Sequence, residues 1–519
     1  MPAITENRQT SLAGRSKGPE AALWPGLPTS AQEPIAWIWI SGLVIVATVL
    51  RVLALNQQLW FDEIVTLLDS ARAPIGQIVT HYGGQNQHML YSVMAHGSIR
   101  LFGEQPWALR LPAVFFGVAS IPALYFFGRL VTSNREALFA SALMTVNYQH
   151  VWFSQNARGY TGMAFWTLLT SVFFIRGANN GNWRDWAMYG LTAALGIYTH
   201  LMMACVVSGH ILLYFWLLAS KARSGRSLSR SFFVPVYGFV LCGVLSLLLY
   251  APVIPRVLAH TVGVARDPVH YEWASPVWAV AEMLRGLRSG TAGGLLAVGI
   301  GGLILLSGLV SYWQEDRFAV GLMVLPGLIT AAAVLATSHN FWPRFFFFEI
   351  GFAMLLVVRG AMLLGRLGSR MIGGSEKFGL QAGTAVVLLM LLASVVPLRA
   401  EYLYPKQDYL GAMKFLDEQQ QPGQLVMTVG SVTTPFRRYY GRQWPLVLTR
   451  SQLDAALESN HATWLVYAMP NSIRTSQPEV WEAIQSKFTV VRAFPGTLGG
   501  GTIYVTKSKD HVESANPPR

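Results

Sequence analysis

The chain is 519 residues long, with 52% of its residues from the set AVILMFWYC and only 13% charged. Soluble globular proteins carry about 25% charged residues, so this composition excludes both an intrinsically disordered chain and a water-soluble monomer. The 39 Lys and Arg against 26 Asp and Glu leave a net charge of +13, which in a membrane protein first reports loop topology. Cys205 and Cys242 both lie in apolar runs, which excludes a disulfide framework and a cysteine-based zinc site.

Residues 1–34 are polar, with scattered Pro and Gly and no apolar core beside a small-residue cleavage site. They read as a disordered cytoplasmic tail rather than a cleaved signal peptide. Crossing ~30 Å of hydrocarbon takes ~20 apolar residues. Eleven segments meet or approach that, at 35–55, 107–130, 135–153, 158–176, 185–200, 201–220, 232–254, 291–313, 318–337, 341–365 and 380–399. With the N-terminus inside, the strongly basic short loops all fall on one side: Arg129 and Arg135, Arg176 and Arg184, Lys221 to Arg230, Arg317, and Arg366 to Lys377. That distribution satisfies the positive-inside rule. The expected fold is an all-α polytopic membrane bundle over residues 35–400, with about 11 transmembrane helices, N-terminus in and C-terminus out. The basic excess is then mostly topological, and no nucleic-acid partner is expected.

Two outer regions are too long to be mere connections. In the loop 56–106, Asp62, Thr66 and Asp69 share one helical face, and Ile64, Leu67, Leu68 and Ala71 share another. A second pattern runs from His88 to Gly103. Two short helices lying on the outer membrane surface fit this spacing. Residues 401–519 predict a small extracytoplasmic α/β domain. Its helices run over 408–418, from a Ser451 cap to Leu457, and over 478–488 from near Ser476. Its strands fall at 425–429, 462–467, 489–494 and 502–506. Gly499-Gly500-Gly501 precedes a strand, which makes a poor phosphate loop.

Ionisable residues near membrane depth usually line a cavity. Asp62 and Glu63 stand just past the first span. They serve either a helix dipole or, at the mouth of an outer cavity, general-base chemistry. Arg158, in Gln155-Asn156-Ala157-Arg158-Gly159-Tyr160, opens the fourth span from outside, and Arg344 opens the tenth. Both run against the charge bias, so two readings stand: snorkelling to headgroups, or bidentate binding of a lipid-linked phosphate. Arg110 reads as a structural tie between the surface helices and the bundle. Asn86-Gln87-His88 admits two readings: a solvated polar loop, or groups that hydrogen-bond sugar hydroxyls or an acceptor. His81 and His88 do not have metal-ligand spacing, and no metal or other cofactor is expected.

The order Asp62-Glu63, Arg110-Leu111-Pro112, then Gln155-Asn156-Ala157-Arg158-Gly159-Tyr160 resembles polytopic glycosyltransferases of the GT-C fold. The nearest type is glycosyltransferase family 39, which holds protein mannosyltransferases and aminoarabinose transferases. Where many members have His-Pro-Pro-Leu, this chain has Asn86-Gln87-His88-Met89-Leu90, which resembles a bacterial variant. The resemblance implies an inverting glycosyltransferase that moves a monosaccharide from a polyprenyl-phosphate donor to an extracytoplasmic glycan, lipid or protein. Asp62 would be the base beside Glu63, with Asn86, His88, Arg158, Tyr160 and Arg344 around the substrate. It also implies a multi-pass protein of the inner (plasma) membrane whose active site faces the periplasm or exterior. The alternative is a transporter or flippase of lipid-linked sugars, which leaves the acidic pair unexplained and lacks the expected repeats.

Overall fold

The computed structural model describes residues 31–84, 86–223, 233–261, 294–459 and 462–509, together with Pro28, Ser275 and Val277. Most of the expected N-terminal tail, Arg226 and Arg230 lie outside the described residues. So do the first residues of the expected spans at 232 and 291.

Each of the eleven apolar segments falls on a helix, but they are unequal. Among the described residues, six helices are long and apolar enough to cross a membrane: Pro106–Val131, Met203–Arg223, Val234–His260, Arg317–Ala336, Pro343–Met371 and Glu376–Leu403. Trp37–Val52 is apolar but shorter. The others are Asn134–Val146, Tyr160–Asn180, Trp183–Thr199 and Gly294–Glu315. The third segment differs most from expectation. Asn147 has extended backbone and its side chain accepts from His150 N–H, so it ends one helix and caps the next, Tyr148–Ser154. An Asx side chain competing for backbone donors breaks the segment there.

Local signals set the other boundaries. Ser133 caps Asn134–Val146 by accepting from Glu136 N–H, and Gly181 closes Tyr160–Asn180 at a φ of 65°, a value that glycine tolerates. The tenth segment starts as a tight 3-10 turn, Pro343–Glu349, before continuing as Ile350–Met371. Gly308 and Gly360 bring two helices into backbone contact, since a Cβ on either would collide with a carbonyl of the other helix. Small residues let membrane helices approach this closely. The largest buried apolar cluster runs through the bundle from Ala47 to Val387.

The loop after the first span folds as Phe61–Thr66 continued by a wider turn Leu67–Ala71, then Ile75–Thr80, then Met89–Phe102. That is one short helix more than the sequence suggested. The C-terminal region forms a five-stranded mixed sheet of β1 (Leu425–Val429), β2 (Leu446–Val447), β3 (Thr463–Tyr467), β4 (Phe488–Phe494) and β5 (Ile503–Ser508), in the order β2-β1-β3-β5-β4. β1 pairs in parallel with β2 and β3, while β5 is antiparallel to β3 and β4. The two-residue β2 and the helix Pro470–Ser476 were not legible in the sequence. Ser451 lies inside the helix Arg450–Ser459 rather than capping it. One apolar cluster joins Leu59, Ile64 and Leu67 to Tyr409, Phe436 and Val505, so the sheet region is packed onto the loop that carries Asp62.

Candidate active site

The segment Trp60-Phe61-Asp62-Glu63 begins a helix whose N-cap residue, Trp60, offers no side-chain acceptor. Glu63 is fully buried and turns back on its own N-terminus, accepting from Trp60 N–H at 3.3 Å. Arg110 grips it with two parallel bonds, Nε to Oε1 at 2.7 Å and Nη2 to Oε2 at 2.6 Å, and Ala157 N–H adds a fourth at 2.7 Å. The other Arg110 donors reach the carbonyls of Leu55, Gln57 and Gln58. Burial pushes the Glu63 pKa up, but Arg110 outweighs it and holds the carboxyl below its ordinary value. A carboxylate with four donors on it is committed to holding a loop in place.

Asp62 projects elsewhere. Its Oδ2 lies 3.4 Å from Arg344 Nη1, and Arg344 stacks over Trp342 with 4.6 Å to the ring centroid. Asp62 O accepts from Thr66 Oγ1 at 2.8 Å, and Thr66 Oγ1 in turn lies 3.4 Å from Arg158 Nη1. That same Arg158 nitrogen donates to Asn86 O. Asp69, expected on the same polar face, leaves the site and forms an exposed ion pair with Arg438 at 2.6 Å. The wider Leu67–Ala71 turn shifts the helical phase before Asp69 is reached.

His88 is the other half of the site. Its Nδ1 lies 2.7 Å from Gly159 N, a backbone group that can only donate. Nδ1 is therefore an acceptor, and Nε2 carries the hydrogen. Yet Nε2 stands 3.2 Å from Arg158 Nη2, also a donor. Two donors thus stand side by side with no acceptor on them among the described residues, an arrangement that suits an anionic or hydroxyl oxygen. Burial first, then Arg158, His200 and Arg344, hold the His88 pKa well below its ordinary value. Tyr160 packs edge-on to His88 with ring centroids 5.1 Å apart, and the Arg158 guanidinium lies 5.8 Å from the Tyr160 ring centroid. Asp62, Arg344, Arg158, Asn86, His88 and Tyr160, gathered from segments far apart in sequence, therefore form one connected constellation. Glu63 stands behind it.

A cavity of about 630 Å³ opens beside this constellation. Trp60, Trp152, Tyr160, Trp342 and Arg344 line it from the bundle, and Gly496 to Gly500 line it from the C-terminal region. Asp62 and Arg158 lie behind the wall, with Arg344 between Asp62 and the open space. Sequence reasoning placed Thr66 on the Asp62 face without giving it a role, and missed the loop 496–500 and the buried Lys406–Glu401 pair at 3.0 Å, whose ammonium sits 5.0 Å from the Trp152 ring centroid. Thr66 alone had a signal, its position one turn after Asp62.

Several helices long and apolar enough to cross a membrane, gathered around one cavity, define a multi-pass membrane protein. Residues 87–255 match the family model described as dolichyl-phosphate-mannose-protein mannosyltransferase. The apo structure of ArnT from Cupriavidus metallidurans is similar at a TM-score of 0.51 and 13% identity, covering 93% of this chain and 100% of that one. The same protein bound to undecaprenyl phosphate matches at a TM-score of 0.48 and 14% identity, with the same 93% and 100% coverage. The Archaeoglobus fulgidus oligosaccharyltransferase in apo form matches at 0.48 and 12%, covering 90% of this chain and 74% of that one. No curated protein sequence matches the chain. The chain thus shares the fold of ArnT, and about a third of it matches the mannosyltransferase family model.

Proposed function

We propose that the protein is an inverting glycosyltransferase that moves a monosaccharide from a polyprenyl-phosphate donor to an acceptor outside the plasma membrane, with Asp62 as general base. The observation that carries this reading is the ion pair of Asp62, just behind the cavity wall, with Arg344, which lines a cavity shared by membrane helices and the C-terminal region. The family model, whose description names a dolichyl-phosphate sugar, supports this class of donor.

The chemistry follows from the placement. The donor phosphate binds from the cavity at Arg344, draws it off Asp62, and is backed by the Arg158 Nη2 and His88 Nε2–H donors behind the wall. The freed carboxylate then accepts the proton of an acceptor hydroxyl or amine as that atom attacks the anomeric carbon from the face opposite the phosphate. The bond from the anomeric carbon to the phosphate oxygen breaks with its electron pair on the leaving polyprenyl phosphate. Arg344 and Arg158 stabilise that developing charge, and configuration at carbon inverts. Glu63, occupied by Arg110, holds the Asp62 helix. Gly496 to Gly500 of the C-terminal region form the extracytoplasmic wall of the site.

Purified protein incubated with radiolabelled polyprenyl-phosphate sugar tests this directly. Release of free polyprenyl phosphate with acceptor labelling supports transfer. Movement of intact donor across a bilayer without release would support a flippase instead.

A further inference from the structure

The short chain segment Pro405 to Asp408, where the last membrane helix hands over to the C-terminal region, holds both walls of the cavity. On one side its carbonyls anchor the cavity loop: Thr497 N–H donates to Pro405 O at 2.9 Å and Leu498 N–H to Lys406 O at 3.1 Å. Gly496 sits so close that a Cβ there would collide with Lys406 O. On the other side, Gln407, fully buried, accepts through Oε1 from Phe61 N–H at 3.0 Å. Phe61 is the first residue of the Asp62 helix, and its N–H is one of the donors a helix start leaves unpaired. Trp60 cannot cap it, so Gln407 does so from the far end of the chain.

The exchange is reciprocal. Gln58 Oε1 accepts from Leu410 N–H at 3.0 Å, near the start of the helix Tyr409–Gln419, while Gln58 Nε2 donates to Asp408 Oδ1 at 2.8 Å. Each of two helices therefore has its N-terminus capped by a glutamine just preceding the other. Gln407 Oε1 also accepts from Tyr409 Oη at 2.9 Å, whereas its Nε2 is buried with no hydrogen-bond partner among the described residues. The acceptor oxygen is what the position uses.

We propose that Gln407 is a positioning residue: through it the C-terminal region sets where the Asp62 helix begins, and so fixes the Asp62 carboxylate relative to the 496–500 wall of the cavity. It touches neither substrate nor the reacting atoms. This proposal rests on Asp62 being the base.

The test uses full-length protein in nanodiscs. It measures kcat for release of radiolabelled undecaprenyl phosphate, from whichever undecaprenyl-phosphate hexose or pentose wild type turns over, and Kd for undecaprenyl phosphate itself. Gln407→Leu is expected to lower kcat by at least about tenfold, since small displacements of reacting groups cost that much or more, with Kd within about twofold. Gln58→Leu, which breaks the bonds to Leu410 and Asp408 that hold the Gln407 segment in place but leaves the Gln407–Phe61 bond itself, should lower kcat less. Wild-type kcat in Gln407→Leu, or a loss that falls on Kd, overturns the proposal. If Gln407→Leu fails to insert, Gln58→Leu decides, and wild-type kcat there overturns it. Asp62→Asn run alongside separates the claims. Normal turnover in Asp62→Asn defeats the base assignment, whereas an inactive Asp62→Asn beside a fully active Gln407→Leu defeats only the positioning role.

Discussion

Asp62 and Arg344, separated by 282 positions in the chain, meet at 3.4 Å on the edge of the cavity. The pair has a built-in competition. In the proposed reaction Arg344 neutralises first Asp62 and then the incoming phosphate, and moving it leaves a carboxylate without its cation just as a proton acceptor is wanted.

The two arginines should report donor binding. Arg158 is buried and Arg344 part-exposed on the cavity wall. Losing a charge-assisted contact costs about 1.5–3 kcal/mol, roughly tenfold to over a hundredfold in affinity. Arg158→Ala and Arg344→Ala should each weaken undecaprenyl phosphate binding by that much while thermal unfolding in detergent stays close to wild type. Unchanged affinity in both variants would return the arginines to headgroup snorkelling.

Glu63 and Arg110 should behave as a stability pair. Removing one partner of a buried ion pair costs about 3–5 kcal/mol because the other charge stays buried. Arg110→Ala should therefore show a large drop in unfolding temperature or poor insertion, and Glu63→Gln a smaller drop. If Glu63→Gln is as stable as wild type yet catalytically dead, Glu63 belongs to the chemistry rather than to the scaffold.

Acidification should damage the site through His88 first. Its folded pKa lies well below the ordinary value of 6.5, so between the two values the unfolded chain binds the extra proton. Its contribution to stability is full above about 6.5 and is lost as pH falls below that. Protonation would also put a hydrogen on Nδ1, against Gly159 N–H. Glu63, lowered from 4.5, adds a second loss only as pH drops below about that value. Unfolding temperature measured from pH 8 to pH 5 should fall in wild type and fall less in His88→Asn. Equal slopes would remove His88 from the account.

The membrane helices were legible because a continuous apolar run needs no knowledge of its neighbours. Asn147 hid a break, since one polar residue in a long apolar stretch looks tolerable until its side chain takes a backbone donor. Asp62, Arg158 and Arg344 were visible as charges where charge is expensive. Their contacts were not, because nothing local to residue 62 points to residue 344. The same holds for Gln407 and Phe61, 346 positions apart. A glutamine before a helix start carries no signature, and the loop 496–500 gained meaning only once the chain folded back over Trp152. Asp69 was misplaced because a uniform helical period was carried through the turn at Leu67–Ala71, where the structure widens.

Topology offers a separate check. A reporter active only outside the cytoplasm, fused after Arg519, should work, and one inserted at Lys221 should not. The opposite pattern would put Asp62 on the wrong side for an extracytoplasmic acceptor.

The central claim is that Asp62 removes a proton during transfer, and Asp62→Asn tests it most directly. The amide keeps the shape and loses the basicity, and general-base assistance is typically worth ~10²–10⁴ in rate. Transfer from a radiolabelled undecaprenyl-phosphate sugar, measured alongside undecaprenyl phosphate binding, should fall at least about a hundredfold while the protein still inserts, purifies and binds. Turnover near the wild-type rate would contradict the account.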